Sequence, residues 1–285
     1  MTTFDPIRYK ETTRKQWQDA AEAWHRWGPT LNAWLGPATE RMLDLAAVRS
    51  GDHVLDVAAG AGEQTIAAAR RVGSTGRVLA TDIAPRILEL AAAEARRQGF
   101  EQVSVRAMDG EALDLPDAGF DVVISRVGLI YMPDRTRAVA EMHRVLKPGG
   151  RVAAIVYSTP QRNGFFSVPV SIIRRAAGLG PPEPGQPGPF CLGSPGVLAK
   201  AFTEAGFGEV RAEVVEAPLR LPDAETCVRF EKESFGALHQ MLSGLDEAAR
   251  AAAWSEIDEA MKQFEMSDGF AGPCELVLAV GTKIG

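Results

Sequence analysis

Residues 53–62 read HVLDVAAGAG. The first five are short and rich in Val and Leu, the texture of a buried strand. The small residues that follow let the backbone turn tightly and let a ligand approach the main chain. Behind them, EQTIAAARRV at 63–72 has helical texture. A strand, a glycine turn and a helix in that order form the opening unit of an open α/β sheet.

Outward from this unit the alternation continues. Strands are expected at 78–82 (VLATD), 103–108, 121–126 and 152–157. Helices are expected at 85–99, opened by Pro85, and at 134–146. Strands alternating with helices imply a parallel sheet covered on both faces. The fold class expected is therefore α/β, doubly wound and Rossmann-like. Upstream, 11–27 reads as an amphipathic helix with Trp17, Ala20, Ala21 and Trp24 on one face. Gly28-Pro29 breaks it, and a second helix follows at 37–48. Downstream, 165–177 and 195–205 read as helices, 209–217 and 275–283 as strands. The Pro/Gly-crowded 179–189 reads as an exposed loop, and 223–266 is helical in texture. The domain plan expected is an N-terminal helical cap at 1–48 and one α/β domain at 49–285, with a helical lid inserted at about 220–270.

Composition narrows the chemistry. The chain has 285 residues, 46% of them hydrophobic, with net charge −6. An acidic chain lacks the basic surface that phosphate backbones require, so no nucleic-acid partner is expected. Cys191, Cys227 and Cys274 are scattered and form no CxxC pair, which argues against a disulfide framework or a zinc site. No apolar run approaches a membrane span, and residues 1–10 lack the apolar segment of a signal peptide. A cytoplasmic monomer or homodimer without membrane attachment is the expectation.

Acidic residues define the ligand. Asp56 stands just before the glycines, where a pyrophosphate would be repelled and an ammonium group favoured. Asp82 ends the next strand, 20 residues after Gly62 (82 − 62), where an acid accepts from ribose hydroxyls. Met108-Asp109 ends the third strand. There the sulfur packs on a base and the carboxylate accepts from its amino group. All three lie at carboxyl ends of strands, where open α/β sheets bind ligands. The ligand implied is a nucleoside with a positive end and no phosphate.

VLDVAAGAGEQT, VLATDIAP, VRAMDGEALDLPDAGFDVVISR and EMHRVLKPGGRVA occur in order over residues 50–158. With them the sequence resembles the class I S-adenosylmethionine-dependent methyltransferases of the UbiE-like group, the quinone-biosynthesis C-methyltransferases. The resemblance implies a seven-stranded, mostly parallel sheet with an antiparallel last strand. It also implies S-adenosyl-L-methionine as cofactor and S-adenosyl-L-homocysteine as product. By the same resemblance Asp56, Ala58, Gly60, Gly62 and Thr65 belong to the methionine-side loop. Asp82 holds the ribose, Ile83 lies against the adenine, and Met108, Asp109 and Gly110 frame it. Ser125 and Arg126 line the floor near the methyl group, and Trp24 covers the cofactor. The family usually has glycine where this chain has Ala58.

Tyr131 and Arg126 are the candidates to orient an acceptor, each with an ordinary packing or loop role as the alternative. Glu111 reads as a solvated loop charge. His25, His53, His143 and His239 show no metal spacing, so no metal is expected. Pro273-Cys274 lies before the last strand, the wrong place for a cytosine-methylating nucleophile. Ser125-Arg126-Val127-Gly128 is not the Asn/Asp-Pro-Pro-Tyr motif of base-amino methylation. The Phe, Met and Leu surplus of 223–266 suggests a lid over a small apolar or aromatic acceptor. Two rival readings are a nicotinamide-dependent oxidoreductase and a non-catalytic binding module of the same fold. The first lacks a third fingerprint glycine, because Gly62 is followed by Glu63-Gln64-Thr65. The intact acids speak against the second.

Overall fold

The computed structural model describes residues 4–181 and 185–285. Asp5 and Pro6 open the first helix, α1 (Pro6–Arg26). The Asp5 carboxylate accepts from the Ile7 and Arg8 amides at 3.0 and 3.1 Å, so the helix starts before the expected residue 11. The second helix, α2 (Gly28–Leu45), also starts earlier than its expected 37. Pro29 falls in its first turn, where a missing N–H costs nothing, so Gly28-Pro29 begins a helix as well as ending one.

The alternating core follows as β1 (His53–Val57), α3 (Glu63–Val72), β2 (Arg77–Asp82), α4 (Pro85–Arg97), β3 (Val103–Ala107), β4 (Phe120–Arg126), α5 (Arg135–Val145) and β5 (Leu146–Tyr157). Then come α6 (Gly164–Ala176), α7 (Val197–Glu204), β6 (Phe207–Glu216), β7 (Leu219–Leu221), α8 (Ala224–Ser234), α9 (Gly236–Leu242), α10 (Glu247–Met261), β8 (Glu265–Met266), β9 (Gly269–Gly272) and β10 (Glu275–Lys283).

The main sheet has seven strands in the order β3-β2-β1-β4-β5-β10-β6. The pairs from β3 through β5 are parallel, and β10 runs antiparallel to both β5 and β6. The order reverses at β1, and ligands bind beside such a switch point. Val54, Leu55, Val123, Ile124, Val152 and Ile155 form the fully buried middle of the sheet.

Two expectations are corrected. The segment expected to be helical to residue 266 ends in β8, which joins β7 and β9 in a second, three-stranded sheet. Two-residue strands carry no readable periodicity. The loop expected to be exposed is half-buried over 186–190, and Gly188 N donates to Ile130 O at 2.9 Å. Residues 182–184 of that loop lie outside the described residues. Among the described residues no helix is long and apolar enough to cross a membrane.

Candidate functional site

The loop after β1 is held by its neighbours. Ala59 N donates to Thr81 O at 2.9 Å, and Gly60 N donates to the Asp82 carboxylate at 3.1 Å. Asp82 thus ties the ends of β1 and β2 together, and its other oxygen accepts from Ala84 N at 3.0 Å. Gly60 has φ +57, and a methyl group placed there would meet nothing within 4 Å. The loop therefore presents bare backbone to open space. Gly62, with φ +96, does a different job: a Cβ there would stand 2.8 Å from that of Ala91. It lets α3 and α4 approach. Ala58 also adopts a left-handed backbone, φ 59. The usual family glycine at this position is therefore a conformational requirement that this chain meets under strain. Val127, directly after Arg126, is strained in the same way with φ 61.

Asp56 is fully buried beneath the loop. Its carboxylate accepts from Thr65 Oγ1 at 2.6 Å and Gln64 Nε2 at 3.3 Å. Burial pushes its pKa up to about 7 despite those hydrogen bonds. Burial also raises Asp82. Asp56, Gly62, Thr65 and Ser125 stand behind the wall of the cleft. Ala58, Gly60, Asp82, Ile83, Met108, Asp109 and Gly110 lie on it, as do Trp24, Arg126 and Tyr131. The cleft encloses about 1000 Å³, solvent at its mouth included.

Three residues that the sequence gave no reason to select also form the wall. Lys10 Nζ lies 2.6 Å from the Asp109 carboxylate and pairs with Glu111 as well. Glu111 is not a solvated charge: it is 4% exposed and accepts from Asp134 N at 2.9 Å. Only its burial reveals this. Glu63, in the first turn of α3, pairs with Arg126 at 3.0 Å, both side chains nearly enclosed. Arg126 also donates to Thr39 Oγ1 at 3.1 Å. Burial raises the Glu63 carboxyl, and the Arg126 charge opposes that rise.

The roof is aromatic. The Trp17 ring centre lies 5.1 Å from that of Trp24 and 5.4 Å from that of Tyr131. Trp24 Nε1 donates to Ser234 O at 2.9 Å, which ties α1 to the end of α8. Tyr131 sits in a short 3-10 turn, and burial raises its hydroxyl pKa. Tyr157 and Phe235 also line the cleft. The cleft thus combines carboxylates and bare backbone with a cluster of rings. This is the combination expected for a polar nucleoside held beside an apolar second ligand.

The model of the ubiE/COQ5 methyltransferase family matches residues 37–170. The chain is 33% identical over 201 residues to a nocamycin O-methyltransferase of Saccharothrix syringae, covering 67% of this chain and 72% of that one. It is 39% identical over 119 residues to a ubiquinone/menaquinone biosynthesis C-methyltransferase UbiE of Psychromonas ingrahamii. That match covers 41% of this chain and 47%, about half, of the relative. In fold it is similar to the crystal structure of the YcgJ protein from Bacillus subtilis. The TM-score is 0.60 at 21% identity, over 88% of this chain and 99% of that one.

Proposed function

The chain belongs to the ubiE/COQ5 methyltransferase family, and from that premise we propose that it methylates a small, apolar or aromatic acceptor from S-adenosylmethionine. One observation carries the reading: Asp82, Asp109 and the open Gly60 backbone line the same cleft as the rings of Trp17, Trp24, Tyr131, Tyr157 and Phe235. An O-methyltransferase and a C-methyltransferase among the relatives support a small organic acceptor.

The residues fit the cofactor by their donor and acceptor sets. Asp82 offers free lone pairs toward ribose hydroxyls. Asp109, between Met108 and Gly110, accepts from the adenine amino group, with Ile83 against the ring. Ala58 and Gly60 bring backbone to the methionine end, and Asp56, Thr65 and Gly62 hold that loop from behind. Arg126 forms the floor with Ser125 behind it, and Trp24 the cover. Bound there, S-adenosylmethionine would supply a methyl carbon already activated by its sulfonium. What remains for the chain is to align the acceptor and exclude water. Alignment of this kind is worth on the order of 7–11 kcal/mol in favourable cases. Arg126 and Tyr131 orient the acceptor, and residues 224–261 with α1 form the lid that keeps the site dry. We place the protein in the cytoplasm.

Calorimetry with S-adenosylhomocysteine and with NADH tests the reading, followed by a screen of phenols, quinones, amines and thiols with labelled methyl donor. Binding of the first nucleoside and label in a small product are expected. Binding of NADH alone would overturn the proposal in favour of an oxidoreductase.

A further inference from the structure

One edge of the main sheet is open. The strand β6 is the last in the order, and no described strand lies beyond it. No backbone group of residues 208–216 bonds to a described segment other than β10. Such an edge carries a row of free N–H and C=O groups that another strand can pair with.

The residues along this edge form an inverted repeat, Val210-Arg211-Ala212-Glu213-Val214. Read backwards, it is the same text with Arg and Glu exchanged. In a strand, Arg211 and Glu213 share one face, and Val210, Ala212 and Val214 share the other. Arg211, Ala212 and Val214 are exposed, Val214 at 59%. Arg211 makes no ion pair among the described residues, and Glu213 is held by Arg41 of α2 at 2.6 and 2.7 Å.

We propose that this edge joins two copies of the chain, their β6 strands paired antiparallel about a two-fold axis through Ala212. Opposed residues of an antiparallel ladder share a face, so the axis must pass through a residue. Placed on Ala212, it sets Arg211 against the partner's Glu213 twice on one face. On the other face it sets Val210 against the partner's Val214 and Ala212 against its own copy. Opposite charges and apolar pairs across strands are both stabilising. Moving the axis to Arg211 or to Glu213 sets that residue against its own like charge. Moving it to Val210 pairs Glu209 with Arg211, but there the ladder to β10 shifts register and Glu209 has a left-handed backbone, φ 50. Charged and bulged edges keep strands from pairing indiscriminately, and here they leave one register. A ladder over residues 210–214 is short, so the dimer is weak and forms reversibly at micromolar concentrations. The pairing is independent of the methyltransferase reading, since no residue of β6 lines the cleft.

Sedimentation of the full chain across the micromolar range tests the pairing. The wild type should pass from monomer to dimer as concentration rises. Arg211→Glu and Glu213→Arg each place like charges in both pairs, and each should weaken association by about tenfold or more. An equimolar mixture of the two variants should recover it, because every Glu then meets an Arg. Ala212→Cys should give a disulfide-linked dimer under mild oxidant. Val214→Cys should not, because its two copies stand about 14 Å apart along the ladder. These two cysteine variants carry the test alone if Glu213→Arg, which also loses Arg41, misfolds. A wild type that stays monomeric throughout overturns the proposal and leaves the edge to solvent or to another protein. So does a dimer that both charge variants leave intact, a mixture that stays apart, or a dimer that does not link through Ala212→Cys.

Discussion

The rim of the sheet and the lid above it are built over different distances along the chain. On the rim, Thr65 bonds Asp56 nine residues away and Gly60 bonds Asp82 22 residues away. In the lid, Trp24 reaches Ser234 across 210 residues, Trp27 reaches Glu233 across 206, and Trp34 reaches Ala217 across 183. The rim is a local construction in which each strand delivers its acid to the next turn. The lid exists only once the two ends of the chain have met. On the proposed function, nucleoside binding would rest on the rim and acceptor choice on the lid, and the two should be separable by mutation.

Phe230→Ala strikes the lid hardest. The ring is fully buried between Trp27, Trp34 and Phe235, at 5.2, 6.3 and 5.5 Å. Its loss should cost about 3–5 kcal/mol in urea unfolding. Affinity for S-adenosylhomocysteine should change little; an equally steep loss there would show that rim and lid are one unit.

The Asp56 carboxyl tests the rim through pH. Its folded pKa, about 7, lies above the unfolded value of 3.8, so the native state binds the extra proton. Stability from this group is complete below about pH 4 and falls as pH rises toward 7, by a few kcal/mol. Asp82 and Glu63, also raised by burial, act in the same direction. Asp56→Asn should flatten part of that decline. An unchanged slope between pH 4 and 8 would mean that Asp56 stays ionised in the fold.

Gly62→Ala is a smaller test. Its Cβ would meet that of Ala91 at 2.8 Å and the Ala91 Cα at 3.3 Å, from a left-handed backbone. A loss of about 1–3 kcal/mol is expected, with weaker nucleoside binding because α3 must shift. Ala58→Gly should act in the opposite sense. Relieving φ 59 should raise stability by up to about 1 kcal/mol, the gain reduced by the freedom glycine adds to the unfolded chain. A lower melting temperature would show that Ala58 is not strained.

Legibility follows the same division. Asp82, Met108, Asp109 and the glycine loop were readable because a strand followed by a turn fixes where a side chain points. Lys10 and Glu111 were not readable, since their pairing brings α1 onto the turn after β3 and no spacing records that approach. Gly28-Pro29 reads as a stop in the sequence and is also a start in the structure, because the same dipeptide serves both ends of a helix. The three-stranded sheet is not legible because its strands are two to four residues long and β7 is distant in sequence from β8 and β9.

By itself, the sequence determined the parallel sheet and the acidic rim, because these follow from short-range periodicity and from the turn chemistry of adjacent residues; the strand order and its switch point came from the structure. Tertiary structure alone decided which acids are buried and which are paired. The physical reason is that burial and pairing depend on what the rest of the chain brings to a residue, and this lid is closed by partners about two hundred residues apart.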